Sequence, residues 1–374
     1  MSSIAIFPQQ NNHTQPQLPI AWYADPAVYA LEQQHLFTKA PKYAGHALMV
    51  PNVGDYYVQD WMQGAKSLVN RDGEISLISN VCRHRQAIML NGSGNTQNIV
   101  CPLHRWTYDL DGKLLGAPHF DENPCLHLQK NALHNWQGML FESPHNITKE
   151  LDLLGCKHDF DFSDYKLDSV NVEHYQFNWK TFIEVYLEDY HVGPFHPGLN
   201  QVVDCADLHW DFGENFSAQT VGYKAAPEQY LSPAYQKWQA EILRFQGEKP
   251  PKHGAIWMVY YPFLMMEWYH NVLVVSHLIP TGVNSCSNVV EFYYPEEIAC
   301  FERTYVEAQQ AAYLETAIED KEICQRMHDG RQALFAQHLD QRGPYQHPLE
   351  TGLAHFHVWY RKHMQAHLYP FNPS

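Results

Sequence analysis

Residues 80–106 read NVCRHRQAIMLNGSGNTQNIVCPLHRW, and they pair cysteine with histidine twice. Cys82 and His84 form the first pair and Cys101 and His104 form the second, which gives the spacing Cys-x-His-x16-Cys-x2-His. Each pair offers one thiolate and one imidazole on a short stretch of chain, and both groups are good ligands for transition metals. The spacing therefore predicts a metal centre with four protein ligands.

The order of these four residues indicates the kind of centre. A zinc finger normally keeps its two cysteines together and its two histidines together, whereas each pair in this sequence mixes the two residue types. In a Rieske [2Fe-2S] cluster, one iron is held by two cysteines and the other by two histidines. The pattern therefore favours a Rieske cluster bound by Cys82, His84, Cys101 and His104 over a structural zinc site.

The bulk composition limits the class of protein. The chain has 374 residues, 45% hydrophobic and 18% charged, which is typical of a folded protein with room for about two domains. The formal charge of −16 argues against nucleic acid or an anionic membrane as a partner. The N-terminus does not resemble a secretory signal, no apolar run is long enough for a membrane helix, and the cysteines show no disulfide framework. These features predict a cytoplasmic protein.

The pattern along the chain predicts three parts. Residues 1–41 form an N-terminal segment, polar at first, whose helix begins at Asp25-Pro26 and packs with the catalytic domain. Residues 42–143 alternate short strands with turns, and residues 144–374 mix strands with helices. The predicted fold class is α+β: an N-terminal all-β Rieske domain followed by a larger α+β catalytic domain with an antiparallel sheet and covering helices.

A second group of metal-binding residue types lies in residues 181–199, TFIEVYLEDYHVGPFHPGL. A helix predicted over 178–191 would place Glu184, Glu188 and His191 on one face, because they are spaced i, i+4 and i+7. The Gly-Pro pair that follows is expected to end this helix. The neighbouring Asp189 is expected to be an exposed acid.

His191 and His196 form a His-x4-His pair across that expected break. Two histidines and one carboxylate can hold iron and leave positions open for oxygen and substrate. Taken alone, such a pair also fits ordinary core or surface histidines. The cluster upstream strengthens the iron interpretation, because a one-electron carrier fused to a larger domain needs an electron acceptor.

The chain resembles the catalytic α subunits of the Rieske non-haem iron oxygenases, also called ring-hydroxylating oxygenases, over about residues 22–369. The resemblance rests on CRH…CPLHRW, on NWKTFIEVYLEDYHVGPFHPG and on the acidic pair in AIEDKEICQRMHDG; YLEDYHVGPFHPG is most similar to the carnitine and choline-type monooxygenases. It implies a mononuclear Fe(II) bound by His191, His196 and Asp320. Glu319 is the alternative to Asp320 as the third ligand.

The same resemblance implies a role for Glu188, which occupies the place of an acid, most often Asp, that joins the two metal centres across a subunit boundary. It also implies a homotrimer, in which the cluster of one subunit serves the iron of its neighbour. Val185 departs from the pattern, because many relatives have an Asn there, and this puts any role of that position in doubt. The electrons are expected from a separate NAD(P)H-dependent reductase, with or without a ferredoxin.

The predicted function is that of a Rieske-type oxygenase terminal component, which uses O2 to hydroxylate or demethylate a small organic substrate. The alternative from another class is a non-enzymatic Rieske electron carrier with an interaction domain. A lining rich in aromatic residues would suit an aromatic compound or an N-methyl or quaternary amine, and it would equally suit an ordinary sheet core. Glu267 and His270 interrupt it and are expected to meet either substrate or water. The predicted lining residues are Trp257, Tyr260, Tyr261, Phe263, Met265, Met266, Trp268 and Tyr269.

Overall fold

The computed structural model describes residues 16–143, 146–224, 232–245 and 250–368. Most of the polar segment at the start of the chain lies outside these residues. The chain divides into two compact units, described separately below. The smaller comprises Pro41–Leu153 and Phe160–Leu167, and the larger comprises Met1–Ala40, Leu154–Asp159 and Asp168–Ser374.

The helices and strands have the following bounds. The α-helices are α1 (Ala21–Ala24), α2 (Pro26–Glu32), α3 (Thr148–Leu151), α4 (Trp179–Tyr186), α5 (Val192–Phe195), α6 (Pro233–Phe245), α7 (Glu296–Phe301), α8 (Arg303–Ala336) and α9 (Thr351–Leu368). The first eleven strands are β1 (Lys42–His46), β2 (Asp55–Val58), β3 (Lys66–Arg71), β4 (Glu74–Ser79), β5 (Ser93–Asn95), β6 (Ile99–Val100), β7 (Thr107–Tyr108), β8 (Leu114–Gly116), β9 (Lys130–Asn131), β10 (His134–Trp136) and β11 (Met139–Glu142). The remaining strands are β12 (Tyr165–Tyr175), β13 (Val203–Phe212), β14 (Phe216–Tyr223), β15 (Ala255–Tyr260), β16 (Leu264–Tyr269), β17 (Val272–Gly282) and β18 (Ser285–Pro295).

The smaller unit is built from three small sheets with the strand orders β5-β2-β3-β4-β9, β1-β11-β10 and β6-β7-β8. Its β3–β4 hairpin shows how the sequence determines the strand pairing. Arg71 pairs with Glu74, so that only Asp72 and Gly73 form the turn. Both turn residues have positive φ, 53° and 89°, which matches the twist of a two-residue hairpin and is easily adopted by an Asp-Gly pair. The predicted all-β fold of this region is confirmed.

The larger unit is built on a seven-stranded sheet with the order β12-β18-β17-β16-β15-β14-β13. The neighbouring strands from β13 to β18 are antiparallel, and helices α4, α6 and α8 cover the sheet face that bears the active-site cavity. The predicted α+β class with an antiparallel sheet is confirmed. In the described ranges, no helix combines the length and the apolar character needed to cross a membrane.

Buried ion pairs fix helix α4 within this unit. At its N-terminal end, Lys180 lies 2.5 Å from Glu32 of α2, and both side chains are fully buried. At its other end, Glu184 accepts hydrogen bonds from Arg331 of α8 (2.6 Å) and His357 of α9 (2.8 Å). Removing one partner of such a buried pair typically costs about 3–5 kcal/mol. Helix α4 is therefore a rigid support for the segment that follows it.

Candidate metal centres and active-site cavity

Two loops of the smaller unit carry the predicted cluster ligands, and they share one backbone geometry. In each loop the cysteine N–H donates to the carbonyl five residues later and its carbonyl accepts from the N–H four residues later. The distances are 2.9 and 3.0 Å for Cys82 and 2.8 and 3.1 Å for Cys101. The fourth residue after each cysteine is left-handed, with φ of 55° at Gln86 and 59° at Arg105. Each loop is thus held rigidly by its own backbone.

The side chains on these loops fit the donor set of a Rieske cluster. Cys82 and Cys101 are almost fully buried and form no disulfide, and the rings of His84 and His104 lie 4.7 Å apart between centroids. Within the described residues, Nδ1 of His84 is buried without a hydrogen-bond partner. A buried ring nitrogen normally has such a partner, so an unpaired one fits a metal ligand.

Aromatic residues surround the two loops. The ring of Trp106 stacks on that of His84 with centroids 4.9 Å apart, and the hydroxyl of Tyr108 lies 3.7 Å from Sγ of Cys82. Hydrogen bonds to cluster sulfurs and the polarity around the cluster set the reduction potential of an iron–sulfur centre. These two residues are therefore expected to tune the cluster.

Three side chains of the larger unit meet around one point. His196 Nε2 lies 3.0 Å from His191 Nε2 and 2.9 Å from Asp320 Oδ1, and the latter two atoms are 3.5 Å apart. Ligands at right angles around one metal, with bonds of about 2.1 Å, would be about 3 Å apart. The arrangement therefore fits a two-histidine, one-carboxylate site for non-haem iron.

The chain preceding His191 is not the continuous helix predicted to that residue. Helix α4 ends at Tyr186, and the carboxylate of Glu188 then accepts hydrogen bonds from the backbone N–H groups of Tyr190 (2.6 Å) and His191 (3.1 Å). These bonds stabilise a turn in place of the helix. The prediction that Glu184 shares a face with Glu188 and His191 is wrong, because Glu184 belongs to the buried ion pairs at the end of α4.

The Gly193-Pro194 pair also behaves differently from the prediction. Both residues lie inside the short helix α5 instead of ending a helix. Proline is tolerated in a first helical turn, because its missing N–H would have no partner there. Helix α5 separates His191 at its start from His196 just after its end. A single helical turn therefore brings the two imidazoles together.

Two further carboxylates bind the outer nitrogens of these histidines. Glu188 Oε1 lies 2.5 Å from His191 Nδ1, and Glu319 Oε2 lies 2.7 Å from His196 Nδ1. A carboxylate in this position fixes the tautomer of a ligating imidazole and leaves Nε2 free for the metal. Glu319 contacts Nδ1 of His196, whereas Asp320 contacts Nε2, the nitrogen that faces the other ligand side chains. The geometry therefore favours Asp320 as the ligand.

The electrostatics of the site favour bound positive charge. Burial alone would raise the pKa of Asp320, but its hydrogen bonds with His191 and His196 lower it to about 2. Burial alone would lower the pKa of His191, but Asp320 and Glu188 raise it to about 10. The site thus holds a proton tightly when no metal is bound, and a metal cation would take its place.

Asp189 is not the exposed acid that the sequence suggested. Its side chain is buried, and neither carboxylate oxygen has a hydrogen-bond partner within the described residues. Burial, together with the negative charge of Glu188, raises its pKa to about 7. Sequence alternation could not reveal this burial, because Asp189 lies in the turn after α4.

A cavity of about 430 Å³ opens beside the three ligand side chains. It lies between the sheet and helices α4, α6 and α8, and many of its lining side chains are aromatic. Within the described part of the chain, no Lys or Arg lines it. Its acidic lining residues are Glu173, Glu188, Asp189, Glu267 and Asp320, and its aromatic ones are Tyr175, Phe182, Tyr186, Tyr235, Trp238, Trp257, Tyr269, Phe292 and Tyr313.

The predicted lining is only partly correct. Trp257 and Tyr269 line the cavity, whereas Tyr260, Tyr261, Phe263, Met265, Met266 and Trp268 do not. Glu267 lines the cavity, which is one of the two possibilities that the sequence left open (substrate or water). His270 does not line it. Side chains alternate between the faces of a strand, so at most half of a run can face one cavity. The aromatic residues from α6 and α8 were missed, because no sequence pattern links those helices to the sheet.

We expect Glu319→Gln to lower iron affinity or turnover by about 10–100-fold, the usual effect of losing an outer-shell carboxylate. A neutral amide holds His196 less firmly and makes its imidazole a weaker ligand. Iron content after dialysis and turnover of reloaded enzyme provide the measurement. The matched control is Glu322→Gln, because Glu322 lies on the same helix and is half-exposed. Wild-type iron affinity and turnover in Glu319→Gln would contradict the role.

Comparison with known proteins agrees with this geometry. Residues 161–366 match the family model of the ring hydroxylating alpha subunit (catalytic domain), and residues 42–132 match the Rieske [2Fe-2S] domain. The chain is 56% identical to a putrescine 2-hydroxylase of Ralstonia nicotianae, with 93% of this chain and 95% of that protein covered. It is 49% identical to a putrescine 2-hydroxylase of Bordetella bronchiseptica, with coverages of 93% and 84%.

A solved structure shares the fold. It is a quaternary ammonium Rieske monooxygenase of carnitine oxidation, with a TM-score of 0.73, 18% identity and 96% of each chain covered. The protein belongs to the ring-hydroxylating oxygenase α subunits. It is an oxidoreductase with one Rieske [2Fe-2S] cluster and one mononuclear non-haem iron, and its family uses O2, an organic substrate and a separate reductase. The match to a catalytic domain favours the enzyme over the electron-carrier alternative.

Proposed function

We propose that the two predicted sets of side chains bind the two metal centres. Cys82, His84, Cys101 and His104 hold the cluster; the buried thiols and the unpaired Nδ1 of His84 support this assignment. His191, His196 and Asp320 hold the iron, which their mutual distances of 2.9–3.5 Å support. When bound, the iron supplies the activation of O2 for insertion into a substrate C–H bond.

The chain's own residues then have four tasks. Glu188 and Glu319 keep the two imidazoles in the tautomer that presents Nε2 to the metal. The aromatic cavity walls bind the carbon chain of the substrate and limit the access of water. The carboxylates of the lining attract and orient a cationic substrate. The two Cys-His loops present the cluster, through which electrons enter from a separate NAD(P)H-dependent reductase, with or without a ferredoxin.

We propose a short aliphatic diamine of the putrescine class as the substrate, hydroxylated on carbon. The observation that carries this is the cavity lining, which combines five acidic residues with aromatic side chains and contains no Lys or Arg among the described residues. An aromatic acid would lack a cationic partner there. A quaternary amine has no N–H to donate to the carboxylates, whereas a primary ammonium donates three hydrogen bonds. The 56% identity to a putrescine 2-hydroxylase supports the same class.

Four further proposals follow, of which the homotrimer and the role of Glu188 rest on the family resemblance and the other two on the sequence pattern. The protein forms a homotrimer in the cytoplasm, and Glu188 joins the iron of one subunit to the cluster of its neighbour. Inter-subunit electron transfer described for the quaternary ammonium monooxygenase supports this arrangement. We also propose the division into an N-terminal segment (1–41), a Rieske domain (42–143) and a catalytic domain (144–374); the compact units support the boundary near residue 41, but they assign residues 144–153 and 160–167 to the smaller unit.

We expect reduced holoenzyme mixed with O2 and putrescine to yield a product heavier by one oxygen atom. Isotopically labelled O2 should place the label in the product, which mass spectrometry detects. Aromatic acids, N-methyl compounds and quaternary amines in the same screen should give little or no product. Efficient conversion of an aromatic acid or carnitine, with none of putrescine, would refute the proposed substrate class while leaving the oxygenase intact.

A further inference from the structure

Glu267 is a buried carboxylate at the cavity wall that has only hydroxyl partners. Its side chain is almost fully buried, and it accepts hydrogen bonds from the hydroxyls of Tyr269 (2.6 Å) and Tyr313 (3.3 Å). Within the described ranges it forms no ion pair with Lys, Arg or His. A buried carboxylate without a countercharge is costly. A cationic ligand would remove that cost.

The hydrogen bonds around Glu267 form a chain with a fixed direction. The indole N–H of Trp257 donates to the hydroxyl oxygen of Tyr269 at 2.9 Å. That hydroxyl can then direct its own proton to Glu267. Both oxygens of Glu267 thus accept from tyrosine hydroxyls, and these bonds fix the orientation of its carboxyl group.

Two other acceptors in the same cavity lack donors. Oε1 of Gln219 and Oδ1 of Asn288 are buried atoms of lining residues, and neither has a hydrogen-bond partner within the described part of the chain. Gln219 pairs with Trp257 across the sheet, and Trp257 pairs with Glu267, so the three residues form one row. Buried amide oxygens are nearly always satisfied. An ammonium ion carries N–H donors of the kind that these two acceptors lack.

Helix α8 carries both a residue that contacts Glu267 and one of the proposed iron ligands. Tyr313, which donates to Glu267, and Asp320 are seven residues apart on α8. Seven residues correspond to about 10 Å along the helix axis. A short carbon chain fits between an ammonium held at Glu267 and a C–H bond at the iron site.

We propose that Glu267 binds an ammonium group of the substrate in the cavity that also contains His191, His196 and Asp320. This assignment rests on the proposed amine substrate and adds the residue that selects it. Glu267 recognises the charge, and Tyr269 and Tyr313 hold its carboxylate in place. The number of substrate carbons between the bound ammonium and the iron site then sets which carbon reacts.

The test is a calorimetric titration of resting holoenzyme with putrescine. Glu267→Gln should raise the dissociation constant by roughly 30-fold or more, because it removes one partner of a buried charge pair. The neutral analogue 1,4-butanediol should bind wild type and variant equally. The matched control is Glu291→Gln, since Glu291 is also buried and accepts from a tyrosine two residues later (2.6 Å), but does not line the cavity. The control should bind putrescine as the wild type does.

Two results would overturn the assignment. Unchanged putrescine affinity in Glu267→Gln would remove Glu267 from the binding site. Equal weakening by Glu267→Gln and Glu291→Gln would show a general effect on the fold. Failure of the proposed function is recognised separately, because the wild type would then neither bind nor hydroxylate putrescine. Wild-type turnover of putrescine with no effect of Glu267→Gln would refute only the role of Glu267.

The pH dependence of binding is an independent readout. Burial raises the pKa of Glu267 to about 7, although hydrogen bonds from Tyr269, Tyr313 and Tyr186 oppose the rise and the charge of Asp320 adds to it. Below that pH the carboxylate becomes neutral, so the affinity for an ammonium falls, roughly tenfold between pH 8 and pH 6. Glu267→Gln should weaken this dependence, and the part that remains belongs to the other acids of the cavity, among them Asp189 with its pKa of about 7. Identical pH profiles in variant and wild type would contradict the role.

Discussion

His196→Ala abolishes product formation while the visible absorption of the Rieske cluster remains: this is the largest effect we expect. His196 is almost fully buried and its Nε2 faces both His191 and Asp320. Alanine removes one of three ligands and leaves the other two without a compact site for a metal. The iron content should fall from about three to about two per chain, because the two irons of the cluster are held elsewhere.

The control for this variant is His209→Ala. His209 also lies in the larger unit, but its side chain is 76% exposed and does not line the cavity. It should keep full iron content and turnover. Retained product formation in His196→Ala would exclude His196 as an iron ligand. Loss of the cluster absorption as well would show that the substitution disturbs more than the iron site.

Glu188→Gln should keep both metal centres and lower turnover by about 10–100-fold, the range expected for an outer-shell partner of a metal ligand. The amide oxygen can still accept the Nδ1 proton of His191, which preserves the tautomer. The amide nitrogen, however, cannot accept from the backbone N–H groups of Tyr190 and His191, as the second carboxylate oxygen does. The negative charge that we propose to join the two centres is also lost. Metal analysis measures whether both centres are kept, and steady-state kinetics measure the loss of turnover.

Glu307→Gln provides the comparison, because Glu307 is an acid of the larger unit whose side chain is 68% exposed and does not line the cavity. Its rate should stay close to that of the wild type. A Glu188→Gln enzyme as fast as wild type would refute the bridging role. Loss of the iron in this variant would assign Glu188 to metal retention instead.

Sequence spacing was sufficient for the residues that act through short local motifs. The two Cys-His pairs and the His191–His196 pair can be recognised because each lies within one loop or turn. The fold classes of the all-β region and of the α+β region were predicted in the same way, from the alternation of apolar residues and from turn residues. The third member of the iron site lies more than a hundred residues away, so Asp320 could be named only through family resemblance.

The errors also have physical causes. Helix α4 was extended too far, because periodicity does not reveal that the side chain of Glu188 binds the backbone beyond it. The primary amine class that we propose was not among the sequence predictions, since it depends on which acidic and basic side chains line the cavity. Glu267 looks like an ordinary polar residue in a strand. Its burial and its tyrosine partners distinguish it from a solvent-facing acid, and its place in the cavity lining distinguishes it from the equally buried Glu291.

The 34 residues of helix α8 form one uninterrupted helix. This helix carries Asp320 at the iron site and Tyr313 beside the carboxylate of Glu267, so its backbone fixes the spacing between them. No loop lies between the two points that could stretch or shorten this distance. In the proposed binding mode, regiochemistry is therefore a property of helical geometry: an amine one methylene longer would present a different carbon for oxidation, because its position is set from the charged end.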